Sequence, residues 1–143
     1  LTFAMRAVGA SPREIRKRVP YVLELVGLDQ KGDRKPNQLS GGMQQRVQIS
    51  KAIANNPPIL LLDEVTTGLD LSVQAKVLDL IRSIQEELGI AMMIVSHDLA
   101  VIRMMSDRTM VMLGGRVVEE GLTDQILEDP LHEYTQTLVS SLL

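Results

Sequence analysis

Apolar residues recur at helical spacing from Ile15 through Val19 and Val22 to Val26, directly after Ser11-Pro12-Arg13-Glu14. That opening has the form of a capping box with proline at the first helical position, and Gly27 follows as a stop. The pattern predicts an amphipathic helix, kinked or divided near Lys17 to Val19, because Pro20 lacks the N–H that the helix needs there. Arg13, Arg16, Lys17 and Arg18 read as its solvated charged face. Asp29 to Gln38 is polar, contains Gly32 and Pro36, and reads as a loop.

A second helix is expected to start at Ser40-Gly41-Gly42 and to run to about Ala54, where Asn55-Asn56-Pro57-Pro58 stops it. Ile59 to Leu62 is an unbroken apolar run, the pattern of a strand covered on both faces in a parallel sheet. Val73, Val77, Leu80, Ile81, Ile84 and Leu88 form a helical stripe ending at Gly89, and Ile90 to Val95 repeats the buried-strand pattern. Strand, helix, strand is a βαβ unit, expected to be right-handed. A short helix follows Asp98, then a hairpin of Arg108 to Leu113 and Arg116 to Glu119 around Gly114-Gly115, then two short helices either side of Pro130. The fold class is α/β.

Composition narrows the function. With 143 residues, 45% hydrophobic and 23% charged, the chain reads as globular, one domain or part of a larger one. Aromatic residues at 2% leave few platforms for stacking bases or sugars, and a net charge of −3 gives no general attraction to phosphate backbones or anionic lipid. Any anion site must therefore be local. Zero cysteines exclude a disulfide framework, thiolate zinc and a cysteine nucleophile. No apolar run reaches the roughly 18 residues of a membrane span. The start Leu1-Thr2-Phe3, without an initiator Met or a secretion signal, sets the expectation of a fragment that is not exported.

Candidate chemistry gathers at three places. Asp63 and Glu64 end the first apolar strand, at the sheet edge where α/β folds bind ligands. A magnesium-dependent phosphoryl site would use Asp63 to hold Mg²⁺ and Glu64 to orient or deprotonate water; two solvated acids at a turn fit the same residues. Ser40-Gly41-Gly42 lets an anion approach unpaired N–H donors at a helix start, or serves only as a cap and a turn. His97 follows the second strand; in one parallel sheet it would emerge at the same edge as Glu64 and could contact a terminal phosphate, or it is an ordinary loop residue. Gly68-Leu69-Asp70 reads as a turn glycine before a helix cap.

Taken in order, Ser-Gly-Gly-Met-Gln-Gln-Arg, Leu-Leu-Leu-Asp-Glu, Gly-Leu-Asp and Ser-His-Asp closely resemble the signature motif, Walker B strand, D-loop and switch histidine of ATP-binding-cassette (ABC) ATPases. The resemblance covers nearly the whole chain. It implies a P-loop NTPase (RecA-like) core half with parallel strands plus the helical subdomain, the N-terminal P-loop half being absent. Residues 1–57 would be mainly the helical subdomain with the signature motif, 58–113 the core from Walker B to switch histidine, and 114–143 the hairpin and C-terminal helices. By the same resemblance Asp63 holds Mg²⁺ through water, Glu64 is the catalytic glutamate and His97 touches the γ-phosphate. Ser40, Gly41, Gly42 and Gln44 would cap ATP bound by the opposite subunit, and Asp70 would cross a head-to-tail dimer interface.

Met43 and Val65 stand where the family most often has Gln and Pro. Asp70 to Ala75 and Asp129 to Thr135 are similar to the peptide and nickel importer class, whose ATPases work with membrane permease subunits. Gly121 to Asp124 and Tyr134 to Ser141 also look like the ATP-binding subunit of the carbon-phosphorus lyase complex for phosphonate breakdown, the alternative function. Either way the implied location is cytoplasmic, at the inner face of the membrane for a transporter, with no nucleic-acid partner. DNA-repair and chromosome ATPases share the signature motif, but the chain has no zinc cysteines, no heptad arms and an acidic balance. No Gly-rich P-loop with its Lys occurs in the chain, and neither an adenine-stacking aromatic nor a Q-loop glutamine can be placed. The chain alone is expected not to hydrolyse ATP, the full protein to do so with Glu64 as base; a non-hydrolysing interaction fragment is the second alternative.

Overall fold

A computed structural model describes residues 1–31 and 38–141. They divide into two units, Leu1–Met93 and Ile94–Leu143.

In the first unit a short helix α1 (Thr2–Ala7) precedes α2 (Pro12–Leu25). The capping box forms as expected: Glu14 N–H donates to Ser11 Oγ at 3.3 Å while Ser11 N–H donates to Glu14 Oε2 at 2.7 Å. Pro20 does not divide α2, which runs unbroken through it, with Ile15 and Val22 buried on either side. One missing backbone bond is outweighed by that buried stripe. The helix ends in a Schellman motif, Leu28 N–H bonding Leu23 O at 2.7 Å and Gly27 N–H bonding Glu24 O at 2.9 Å, with Gly27 at φ +65°. Asp29–Lys31 forms one turn of 3-10 helix; the rest of the expected loop, up to residue 37, lies outside the described residues.

Helix α3 (Gly41–Ile53) leads to strand β1 (Ile59–Asp63), then to α4 (Leu71–Leu88), which buries Val77, Leu78, Ile81 and Ile84, and then to β2 (Ala91–Val95). Strands β1 and β2 pair in parallel as a two-stranded sheet, and Ala91 N–H donates to Pro58 O at 3.2 Å at its start. Burial corrects the expectation for both strands: no residue of β2 is buried, Met93 and Val95 being about half exposed, and β1 is covered on one face only. Leu60 and Leu62 are buried, but Ile59 and Leu61 are each 62% exposed. An unbroken apolar run signals cover on both faces, whereas the helices of this unit cover only one.

The second unit contains α5 (Leu99–Met105), a hairpin of β3 (Arg108–Leu113) and β4 (Arg116–Leu122), then α6 (Thr123–Glu128) and α7 (Glu133–Ser140). The hairpin turns on Gly114 and Gly115, at φ +57° and +78°, the backbone that a two-residue turn of this hand requires. Val111, beside a register shift, and Ile126 of α6 are its buried apolar contacts.

Candidate functional site

Ser40 takes the N-cap position of α3 with extended backbone, φ −65° and ψ 162°, and its carbonyl accepts the first helical bond from Gln44 N–H at 2.9 Å. Its hydroxyl makes no cap bond. That sets it apart from Ser11, Asp70 and Asp98, whose side chains each cap their own helix. The start of α3 thus keeps its N–H donors and positive dipole end unserved by the cap residue. The Gln44 side chain turns back, its Nε2 donating to Leu39 O at 3.2 Å.

The two glycines differ. A Cβ on Gly42 would come within 2.7 Å of Val73 Cγ1, whereas one on Gly41 would meet only Leu69 Cδ2 at 3.7 Å. Gly42 is therefore needed for close packing of α3 on α4, and Gly41 is not. This contact brings the helix start beside the segment that carries Asp70. The Asp70 carboxylate caps α4, accepting the Ser72 hydroxyl at 2.8 Å and Val73 N–H at 2.9 Å. The Ser72 hydroxyl first, and then the Val73 amide, hold Asp70 below the ordinary aspartate range.

Asp63 and Glu64 are exposed at the end of β1. Glu64 has left-handed backbone, φ +47°, unusual for a side chain of its kind. Thr67 closes the turn beneath it: its N–H donates to Glu64 O at 3.1 Å and its hydroxyl to Glu64 Oε2 at 3.2 Å. A cavity of about 290 Å³ between α3 and β1, walled by Gln45, Gln48, Ile49, Leu61 and Leu62, reaches Asp63. The first unit thus places Asp63 beside α3, and Asp70 beside its start. A larger cavity of about 740 Å³, walled by Met5, Val8, Arg18, Tyr21 and Ala54 among others, contains neither acid. No group of three or more His, Cys, Asp or Glu forms a metal cage among the described residues. The exposed Asp63 carboxylate suits the other way of holding Mg²⁺, through one or two carboxylates with the remaining oxygens coming from water and phosphate. His97 belongs to the second unit, exposed in the bend between β2 and α5. Beside it Asp98 caps α5, accepting Ala100 N–H at 2.9 Å.

The sequence model described as "ABC transporter" matches residues 3–67. The methionine import ATP-binding protein MetN 2 of Pectobacterium atrosepticum is 49% identical over the whole chain. A putative phosphonates utilization ATP-binding protein, PhnK, of Escherichia coli is 54% identical over 111 residues, 78% of the chain. Among solved structures, cbiO1 from Clostridium perfringens, part of the ABC transporter complex cbiONQ, superposes on 97% of the chain with a TM-score of 0.78 and 30% identity. The chain belongs to the ABC transporter family. It spans 42% of the methionine import protein, 44% of the phosphonates utilization protein and 57% of the cbiO1 chain. These relatives are named for methionine import and phosphonate utilization, not for the peptide or nickel import that Asp70 to Ala75 resemble.

For this ABC chain, motif order pointed to the acids and the helix start, but not to Thr67, which bonds Glu64, nor to Arg18 and Arg46, which bond the carbonyl ends of α3 and α2. Thr67 follows Glu64 at turn spacing and Arg46 closes the signature segment, so both were within reach of the sequence. Arg18 was not, because nothing in its spacing separates it from the charged residues around it.

Proposed function

We propose that this chain is the signature-to-switch part of the ATP-hydrolysing subunit of an ABC importer, residues 1–57 serving as helical subdomain, 58–113 as core and 114–143 as C-terminal extension. The observation that carries this reading is the start of α3: two glycines behind a serine whose hydroxyl does not cap the helix, set against the segment of Asp70. Ser40, Gly41, Gly42 and Gln44 receive the phosphates of ATP held by a second ATPase subunit in a head-to-tail dimer. Asp70 lies along that interface. Asp63 would hold Mg²⁺ through water, and the ion would neutralise charge building on the phosphates. Glu64 takes the proton of the attacking water, and His97 contacts the terminal phosphate.

This chain alone does not turn over ATP, because a P-loop and its Lys must supply the phosphate cradle. The working protein is cytoplasmic and docks on membrane permease subunits; no helix among the described residues is long and apolar enough to cross a membrane. Import is favoured over a soluble role in phosphonate breakdown because all 143 residues of the chain align with the methionine import relative, against 78% of the chain with the phosphonates utilization relative. That match favours a methionine-like solute over a peptide or nickel. Affinity purification tests the choice: permease subunits in the complex support import, soluble lyase subunits the alternative. Hydrolysis is tested by supplying the P-loop segment. Turnover that appears only then, and disappears in Glu64→Gln, is the expected result; turnover by this chain alone overturns the reading.

A further inference from the structure

Arg18 and Arg46 each reach from the body of one helix to the C-terminal carbonyls of the other. Arg18, on α2, donates from Nη2 to Ile53 O at 3.0 Å and from Nε to Ala54 O at 3.2 Å, at the end of α3. Arg46, on α3, donates from Nη1 to Val26 O at 2.7 Å, at the end of α2. The order of partners, 18 with 53 and 54 but 26 with 46, makes the helices antiparallel. Arg18 is thus half-buried against a second helix, which corrects its place on a solvated face. Carbonyls at a helix end have no partner within the helix and carry its negative dipole end, so a guanidinium fork serves them twice over, by hydrogen bond and by charge.

The surroundings are shaped to these two side chains. Gly27, at φ +65°, leaves room for Arg46, whose Nη1 would lie 2.9 Å from a Cβ there. The Arg18 guanidinium sits over the Tyr21 ring, 5.1 Å from its centre, and the Tyr21 hydroxyl donates to Glu87 Oε1 of α4 at 3.3 Å. The far end of α3 is therefore tied to α2 and through it to α4, while its near end rests on α4 at Gly42 and Val73.

We infer that Arg18 and Arg46 are positioning residues: a reciprocal clamp that sets the axial position of α3 and hence the place of Ser40, Gly41 and Gly42 at its other end. The inference rests on the reading of those three residues as ATP-facing. Neither arginine touches that end. A 13-residue helix is a rigid rod of about 20 Å, so a shift where Arg18 grips it is carried to where Gly41 begins it. Lysine cannot replace the fork, since one ammonium does not span two carbonyls in fixed geometry.

The experiment compares the chain with its Arg18→Met and Arg18→Lys variants by amide NMR and hydrogen exchange, reading Gly41 and Gly42. In Arg18→Met both glycine amides should shift and exchange about tenfold faster, with Arg18→Lys in between. Changes confined to Ile53 to Asn56 would overturn the clamp. Should the Met variant fail to fold, Arg18→Lys and Arg46→Lys decide the matter by the same two resonances. A second measurement, with the P-loop segment supplied, reads the KM for ATP, expected to rise about tenfold in Arg18→Met while kcat changes less. If the glycine amides move and KM does not, the clamp survives as architecture, and the ATP-facing reading, with the positioning role built on it, is overturned.

Discussion

Gly42 and Val73 meet so closely that a single methyl group on Gly42 would lie 2.7 Å from Val73 Cγ1. Packing at this point sets how near the start of α3 comes to the start of α4. Gly42→Ala should cost about 1–3 kcal/mol, the usual penalty of overpacking, and Gly41→Ala clearly less. Adding Val73→Ala to Gly42→Ala should restore part of the loss, because the two sites are in direct contact and their effects cannot add. Urea unfolding of the two single variants and the double variant measures this; strict additivity would show that the contact is relieved by backbone movement.

Glu64 is expected to set the rate of hydrolysis. With the P-loop segment supplied, Glu64→Gln should lower kcat by about 10²–10⁴, the range of general acid-base catalysis, while ATP binding is kept. Equilibrium binding of a nucleotide beside steady-state turnover separates the two effects. A parallel loss of affinity would move Glu64 from proton transfer to ATP binding.

The backbone of Glu64 makes a separate prediction about stability. Its left-handed conformation, φ +47°, costs an ordinary L-residue roughly 1–2 kcal/mol, whereas Asn tolerates it. Glu64→Asn should therefore raise the unfolding free energy by about 0.5–1 kcal/mol while abolishing turnover. Unchanged stability in denaturant titration would mean that the Thr67 bonds offset the strain in full.

Acid should loosen α7 through Glu119. Its carboxylate accepts the N–H groups of Leu131 at 2.8 Å and His132 at 3.0 Å. The carboxyl is held below its usual 4.5 by the Thr135 hydroxyl first, although that atom finds no regular hydrogen bond among the described residues, and next by the Leu131 amide. A group whose folded value is lowered stabilises the fold above its unfolded value and loses that contribution as pH falls through the folded value. Exchange at Leu131 and His132 should accelerate below pH 4.5 in the wild type, and be fast and pH-independent on this account in Glu119→Gln. Identical profiles would remove Glu119 from the hold on Leu131 and His132 ahead of α7.

Ile59 and Leu61 should make the chain associate with itself. Each is 62% exposed on the open face of β1, where neighbouring apolar side chains make a patch that water favours covering. Leu61→Lys should weaken association by roughly ten- to a hundredfold, because burying such a side chain contributes about 1.5–3 kcal/mol. Sedimentation velocity over a concentration series reads it; equal association by wild type and variant would place the sticky surface elsewhere.

Element type and order were written locally. The helix of Pro12–Leu25 follows from a capping box and a 3.6-residue stripe, and the hairpin from Gly114-Gly115 between apolar runs, because such signals act within a few residues of chain. Motif order alone was enough for the family, since four short segments in one sequence constrain each other far more than any does singly. Pro20 shows where local rules give way: its missing N–H predicted a kink or a division, and with Ile15 and Val22 buried on either side the helix is not divided. The one-sided cover of β1 was equally beyond the sequence, because an apolar run states what a strand can bury and not what the rest of the chain can bring to it.

What the sequence determined by itself was therefore the α/β alternation and the caps and turns, and it proposed the acids, glycines and histidine as candidates for handling phosphate. Only the tertiary structure decided which glycine is needed for packing, which helix caps are already made, and that Arg18 and Arg46 grip each other's helices. Hydrogen bonds and close contacts between residues twenty to thirty-six positions apart depend on how helices lie against one another, and periodicity along one helix carries no record of the other.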